Sequence, residues 1–499
     1  MSAPTPFDLS GALPTGRTAI EASAGTGKTY TLAALTTRYV AERGVPIDRI
    51  LVVTFTRAAA AELRDRIRDR IAGAAAALAG DADLADDLHR TIAEHTEGGR
   101  AVAARRLEQA VVDFDTATIT TIHGFAQQVR TALGTTAPGD LDAELDDDTR
   151  VLVAQVCTDL LAGAAVRAAG TGTADALPSL DALTKTVTFV LGNPGIATVP
   201  EPAAPDAPPV DPATLPDAEA TIVQAAATAR LVHDAVATVH RRRRAAGRLA
   251  FDDLVTELRD ALDAGDAAVQ LLRGRFTVAL IDEFQDTDPV QWAIFSRVFG
   301  TDDDSTLVLV GDPKQAIYAF RGADVHTYLA AAHAEGATRA TLGVNQRSDG
   351  AVLEAVERLL AGATFGDDRI TFLPVAPADH HADQRITTAD GAPLPALALR
   401  TAVGAHVGRS KNGKDTQTDA ALDVIATDLA DQVVHLLSGA RIPDGEGGDR
   451  AVRPGDVAVL VGQHRESPIM QQALRARGVP AVVARGANVL ESAAATQWT

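Results

Sequence analysis

Ten residues, Ile20-Glu21-Ala22-Ser23-Ala24-Gly25-Thr26-Gly27-Lys28-Thr29, constrain this chain more than any other stretch. The run from Arg17 to Glu21 reads as a strand, and Tyr30 to Val40 reads as a helix with Leu32, Leu35 and Tyr39 on its buried face. A glycine turn joins them. Strand, tight turn and helix N-terminus make an anion site: backbone N–H groups converge, the helix dipole adds partial positive charge, and glycine lets the backbone approach phosphate closely. On this reading Ala22, Ser23, Ala24, Gly25, Thr26 and Gly27 wrap the phosphates of a nucleotide such as ATP. Lys28 reaches the β- and γ-phosphates and the Thr29 hydroxyl holds Mg2+. The usual pattern has glycine where Ala22 stands. Taken alone, a glycine-containing turn with a chance Gly-Lys-Thr competes with this reading.

The 499 residues give room for two or more domains, and 46% apolar with 22% charged residues describes a soluble globular chain. No apolar run reaches membrane-span length, and the polar start from Met1 to Thr15 does not read as a signal peptide. Cys157 is the only cysteine, which excludes an internal disulfide and suits a cytoplasmic protein. A net charge of −20 argues against coating nucleic acid non-specifically, but an acidic body can still carry a basic groove. Lysine occurs only at 28, 185, 314, 411 and 414, so its presence in the phosphate loop stands out.

Further motifs follow at strand ends, where α/β sheets bind ligands. Ile50 to Thr54 reads as a buried parallel strand, followed by Phe55-Thr56-Arg57 and a helix from Ala58 to Arg70. Phe55 and Thr56 are candidates for contact, with core packing the rival for Phe55. Thr116 to Thr121 reads as a strand running into Ile122-His123-Gly124-Phe125, where a lone His123 is more often structural than catalytic. Phe276 to Ile281 is a strand ending in Asp282-Glu283-Phe284-Gln285-Asp286. Asp282 can bind Mg2+ and Glu283 can take a proton from attacking water. Thr306 to Val310 is a strand followed by Gly311-Asp312-Pro313-Lys314-Gln315, with Gln315 suited to sensing a γ-phosphate. Tyr318, Phe320 and Arg321 suit stacking on unpaired bases, core packing being the rival for Tyr318. Arg347, in Asn345-Gln346-Arg347-Ser348 ahead of a helix from Ala351 to Leu360, suits a charge clamp on a phosphoryl group. The run Arg241 to Arg244 reads as a solvated helix face or a phosphate contact.

Residues 131–245 read as inserted helices broken by a Pro/Ala-rich stretch from Val199 to Pro216. Residues 362–450 alternate strand-like pieces with Gly/Pro/Asp-rich loops, one of them a flexible segment from Arg441 to Arg450. Val457 to Val461 reads as a buried strand, followed by a helix from Ser467 to Arg477 and a short strand from Val479 to Val483.

These motifs in this order resemble superfamily 1 DNA helicases of the UvrD/Rep type, and more narrowly the RecB-like chains of exodeoxyribonuclease V. The resemblance rests on IEASAGTGKTYTLAAL, LVVTFTRAAAAELRDRIR, TTIHGFAQQV, AFDDLV, LIDEFQDTDPVQWAIF and LVGDPKQAIYAFRGADVHTYL. It implies an α/β fold: a RecA-like P-loop NTPase domain 1A (1–130 and 246–340), a helical insertion 1B (131–245) and a partial second RecA-like domain 2A (341–499), with ATP between the motors. It implies an ATP-dependent 3′→5′ helicase acting on single-stranded DNA and double-strand DNA ends in recombinational repair, with RecC- and RecD-like partners. Lys28, Thr29, Asp282, Glu283, Gln315 and Arg347 match the family's ATP-site residues; Phe55, Thr56, His123, Tyr318, Phe320 and Arg321 fall in motifs lining its DNA path.

Three departures stand out. No glutamine precedes Gln109 to read adenine, Gln346 replaces a stacking aromatic, and the family's downstream motifs, a second arginine clamp and any nuclease domain are not in these residues. A free-standing UvrD- or AddA-like helicase, and a chain that binds nucleotide or DNA without turnover, are the alternatives.

Overall fold

Continuous apolar runs such as Ile50–Thr54 and Thr306–Gly311 demand cover on both faces, and a parallel sheet between two helical layers supplies it. The computed structural model describes residues 4–80, 83–134, 143–145, 149–169, 177–193, 196, 198–204, 215–300, 305–319, 322–383, 385–402, 418–444 and 448–484. The chain divides into two units: Met1–Gly343 with Thr364–Leu373, and Val344–Ala363 with Pro374–Thr499.

The first unit is built on seven strands: β1 (Thr5–Pro6), β2 (Arg17–Glu21), β3 (Ile50–Thr54), β4 (Thr118–Thr121), β5 (Val278–Ile281), β6 (Thr306–Gly311) and β7 (Thr338–Thr341). They lie in the order β1-β7-β2-β6-β5-β3-β4, every pair parallel. Strand periodicity splits each strand between two cores. Ile20, Val52, Leu280 and Val308 face the helices α1 (Lys28–Arg43), α2 (Arg57–Ala79), α3 (Asp87–His95) and α4 (Gly99–Val112). Ala19, Val53, Ile281 and Leu309 face α5 (Ile122–Leu133) and the later helices of this unit, where Phe125, Phe276, Phe295 and Phe299 fill the core. Register then levels the strand ends: Glu21 pairs with Gly311, Ile281 with Leu309, and Val53 with Ile281. The loops after β2, β3, β5 and β6 therefore emerge side by side.

Three further helices, α6 (Arg150–Ala169), α7 (Leu180–Leu191) and α8 (Asp217–Ala245), share a separate core around Val156, Cys157, Val187 and Val239. Of the stretch Val199 to Pro216, residues 205–214 lie outside the described residues. The arginine run is neither a bare solvated face nor open to phosphate throughout. Arg242 pairs with Asp159 at 2.7 Å, the buried Arg243 with Asp253 at 3.1 Å, and Arg244 with Glu257 at 3.7 Å. The first pair ties α8 to α6, and the other two tie it to the helix α9 (Phe251–Ala264).

The second unit departs most from expectation. A 22-residue helix, Thr418–Gly439, occupies part of the region read as strands and loops. The alternation of strand-like pieces and loops read there gives way to a helix on which Ala426, Ala430 and Val433 recur on one face at helical spacing. Arg441–Pro443 and Asp449–Ala451 pair antiparallel, so both ends of the segment read as flexible, Arg441 to Arg450, are strand, and residues 445–447 lie outside the described residues. Val457–Val461 and Val479–Val483 enter no ladder among the described residues. They alternate instead, Val459 and Ala481 packing on the core of Ala430, Val433, Leu474 and Val479 while Leu460 and Val482 face solvent. The helices Gly350–Leu360 and Ser467–Ala476 fall where expected. Among the described residues no helix is long and apolar enough to cross a membrane.

Candidate functional site

The phosphate loop leaves β2 at Glu21 and enters α1 at Lys28, with Gly25 at φ 81° and Gly27 at φ 88°. That left-handed backbone favours glycine, and Gly27 offers α1 no side-chain cap. The first-turn N–H groups of α1 thus lack intrahelical partners and form a donor set for an anion. Ala22 needs no such freedom. Its N–H donates to the Gly311 carbonyl at 2.9 Å, continuing the ladder of β2, and its methyl group lies in the core. Thr26 closes the loop by donating its hydroxyl to the Ser23 carbonyl at 2.8 Å.

Opposite the loop, the end of β5 presents its acids. Lys28 Nζ lies 2.8 Å from Glu283 Oε2 and 3.5 Å from Gln315 Oε1. Residues 255 and 287 positions away thus meet one ammonium group. Glu283 sits at φ 48°, the one non-glycine residue with positive φ among the described residues, a strained backbone of the sort found at functional sites. Its N–H donates to Asp282 Oδ1 at 3.0 Å, and Thr54 Oγ1 donates to Asp282 Oδ2 at 3.3 Å. Burial, with the Glu283 charge alongside, pushes the Asp282 carboxyl up to about 6, Lys28 opposing the rise.

Two residues that motif reading did not single out complete the arrangement. The buried Gln285 donates Nε2 to Glu283 Oε2 at 2.8 Å and to Asp286 Oδ2 at 3.3 Å, while its Oε1 accepts the Asp312 N–H at 3.0 Å. Asp312 Oδ2 in turn accepts from Gln315 Nε2 at 2.8 Å. Lys28, Glu283, Gln285, Asp312 and Gln315 therefore close a ring of contacts. Gly311 makes the ring fit, since a Cβ there would lie 2.7 Å from Gln285 Oε1 and 3.1 Å from the Phe284 and Gln285 nitrogens. Asp286, also buried, has its carboxyl pushed up to about 7 by burial and by Glu283, against the pull of Lys28. The signal for both was a glutamine and a second acid directly after Asp282-Glu283, a polar run that a buried turn must satisfy with partners.

A cavity of about 360 Å³ opens beside these groups, reached by Thr29, Asp282, Glu283 and Gln315 on one side and Phe55, Thr56 and Tyr318 on the other. Phe55 and Tyr318 meet with ring centroids 4.6 Å apart and planes tilted by 36°. Neither belongs to a core cluster; both are half-buried at the cavity, which removes the core-packing alternative. Thr56 caps α2, accepting the Ala59 N–H at 3.0 Å. His123 does not line the cavity: its Nε2 is 3.2 Å from Asp252 Oδ1 and its ring meets Phe251 edge-on at 6.1 Å. Arg57 covers the Phe251 ring at 5.7 Å. Phe320 and Arg321 lie outside the described residues. Arg347 belongs to the second unit, where its N–H donates to Asn345 Oδ1 at 2.9 Å and its carbonyl accepts from Arg385 Nη2. Among the described residues no cluster of three His, Cys, Asp or Glu side chains makes a dedicated metal site. The Thr29 hydroxyl and the Asp282 carboxyl instead suit a magnesium ion that arrives with a nucleotide, while the Lys28 ammonium and the N–H groups at the start of α1 suit its phosphates.

A parallel sheet with a glycine loop on one strand, paired acids on another and a glutamine on a third defines a P-loop motor domain. Residues 10–335 match the family model described as UvrD/REP helicase N-terminal domain, and the chain belongs to that family. Within it the chain is similar to RecB subunits. It is 37% identical to the RecBCD enzyme subunit RecB of Mycobacterium tuberculosis (strain ATCC 25618 / H37Rv) and 37% to that of Mycolicibacterium smegmatis, in each case over 99% of this chain and 42% of the relative. Identity to the Escherichia coli (strain K12) RecB subunit is 28%, over 94% of this chain and 48% of that protein. The chain thus spans less than half the length of the curated relatives it matches.

Proposed function

We propose that the protein is an ATP-dependent DNA helicase, the motor part of a RecBCD-like enzyme that processes double-strand DNA ends for recombinational repair. The observation carrying this reading is the meeting of Lys28 with Glu283 and Gln315, two residues that line a cavity together with the Phe55–Tyr318 pair. Bound MgATP would supply the transferable phosphoryl group and the free energy. Lys28 and the N–H groups of the phosphate loop grip the phosphates, while Thr29 and Asp282 hold the magnesium ion. Glu283 accepts the proton of the attacking water, and Gln315 reports on the γ-phosphate position. Arg347 acts as the clamp that offsets charge on the transferring group.

Phe55 and Tyr318, with Phe320, offer stacking faces to single-stranded DNA, and Thr56, His123 and Arg321 line its path. A shared cavity gives the hydrolysis site a short mechanical route to the stacked bases. By likeness to the named subunits, translocation runs 3′→5′, the partners are RecC- and RecD-like chains, and the protein works in the cytoplasm. Residues 1–130 and 246–340 form motor domain 1A, 131–245 the insertion 1B, and 341–499 part of motor domain 2A. The test is ATPase activity of the natural full-length protein with and without single-stranded DNA, alongside Lys28→Ala. DNA should stimulate hydrolysis, and Lys28→Ala should lower it by about 100-fold or more. Hydrolysis indifferent to both would sink the proposal.

A further inference from the structure

Lys314 is the one lysine in the first unit's motifs besides Lys28, and motif reading gave it no task. Its Nζ lies 2.7 Å from Glu21 Oε1 and 2.8 Å from Asp312 Oδ1, with all three side chains largely buried. Glu21 is the last residue of β2, from which the phosphate loop departs. Asp312 follows β6 and uses its other carboxylate oxygen to accept from Gln315 Nε2 at 2.8 Å. The Asp312 N–H also reaches Gln285, which holds Glu283. One ammonium therefore joins the root of the phosphate loop to the residue that orients the glutamine at the γ-phosphate position.

We propose that Lys314 is a positioning residue for hydrolysis, fixing Gln315 against the phosphate loop through Asp312 and Glu21. The proposal rests on the ATPase reading of this site. Packing alone does not explain the choice of residue. In a chain where arginine outnumbers lysine many times over, a compact point charge stands where two carboxylates approach from different strands. Burial alone would lower the Lys314 pKa, but Asp312 and Glu21 hold it above its ordinary value. Without it, Asp312 is free to turn toward other donors, and Gln315 loses its fixed acceptor.

The experiment is a double-mutant cycle in the natural full-length protein, measuring kcat and KM for ATP at saturating single-stranded DNA, with folded fraction set by circular dichroism. Lys314→Met should lower kcat by about 10- to 100-fold, as expected for a displaced catalytic partner, with KM for ATP near its original value. In a Gln315→Ala background Lys314→Met should cost nothing further, because the group it positions is gone. Glu21→Gln, which leaves no unpaired buried charge, should show a smaller loss with the same non-additivity. It decides the question if Lys314→Met fails to fold. Losses that multiply with Gln315→Ala, a change in KM alone, or unchanged kcat in Glu21→Gln would each overturn the assignment. If Lys28→Ala and Gln315→Ala themselves keep full activity, the ATPase reading has failed instead.

Discussion

Replacing Gln285 with alanine should destabilise the loop after β5 by an amount that the hydrogen-bond ring fixes in advance. The substitution leaves the Asp312 N–H without the acceptor it has at 3.0 Å, and an orphaned buried donor costs about 1–3 kcal/mol. It also removes the 2.8 Å bond to Glu283, which as a bond to a charged group is worth about 1.5–3 kcal/mol. The lower end applies, since a third of the Glu283 side chain is exposed. The 3.3 Å contact to Asp286 adds little. Taken together the expected loss is about 3 kcal/mol.

Trp292 reports on this region, because its ring meets Phe284 edge-on at 5.5 Å and Phe284 precedes Gln285. The chain has two tryptophans, so a Trp498→Phe background makes Trp292 the sole emitter. Urea unfolding followed by Trp292 fluorescence should show an earlier transition of unchanged slope. A displacement worth less than about 1 kcal/mol, with hydrolysis intact, would refute the claim that the amide holds the loop.

Two further outcomes follow from the site. The Asp286 carboxyl, raised from 3.8 to about 7, keeps its proton more tightly in the folded chain, so its contribution to stability is present at low pH and is lost as pH rises across that window. Asp286→Asn should flatten this decline, and equal urea midpoint differences between wild type and variant at about pH 4 and about pH 8 would contradict it. Phe55→Ala and Tyr318→Ala should each weaken single-stranded DNA binding by about 1 kcal/mol or more in fluorescence anisotropy. Affinity equal to wild type in both would deprive the aromatic pair of its assigned role.

Much of the first unit was legible because its strands are apolar on both faces. Ile50–Thr54 and Arg17–Glu21 fall where periodicity put them. Thr338–Thr341 was not legible: only Ala340 among its four residues is buried, and it is a strand because β1 and β2 flank it. The second unit was read poorly since short apolar runs do not distinguish a strand from a helix, as Thr418–Gly439 illustrates. At the site, Lys28, Glu283 and Gln315 announced themselves by residue type at strand ends. Gln285 and Lys314 did not, because one partner of each, Asp312 for Gln285 and Glu21 for Lys314, comes from another strand end and is fixed by sheet register.

Ala22 shows how little of a phosphate-binding motif is dictated by the phosphate. Because β6 carries its pairing one step beyond Glu21, this position inherits ordinary extended backbone and can contribute a methyl group to the interior. The glycine commonly found there is one solution among several, set by how far the adjacent strand runs. Chains with a long partner strand are free to spend that position on cohesion, and patterns that require glycine there will pass them by.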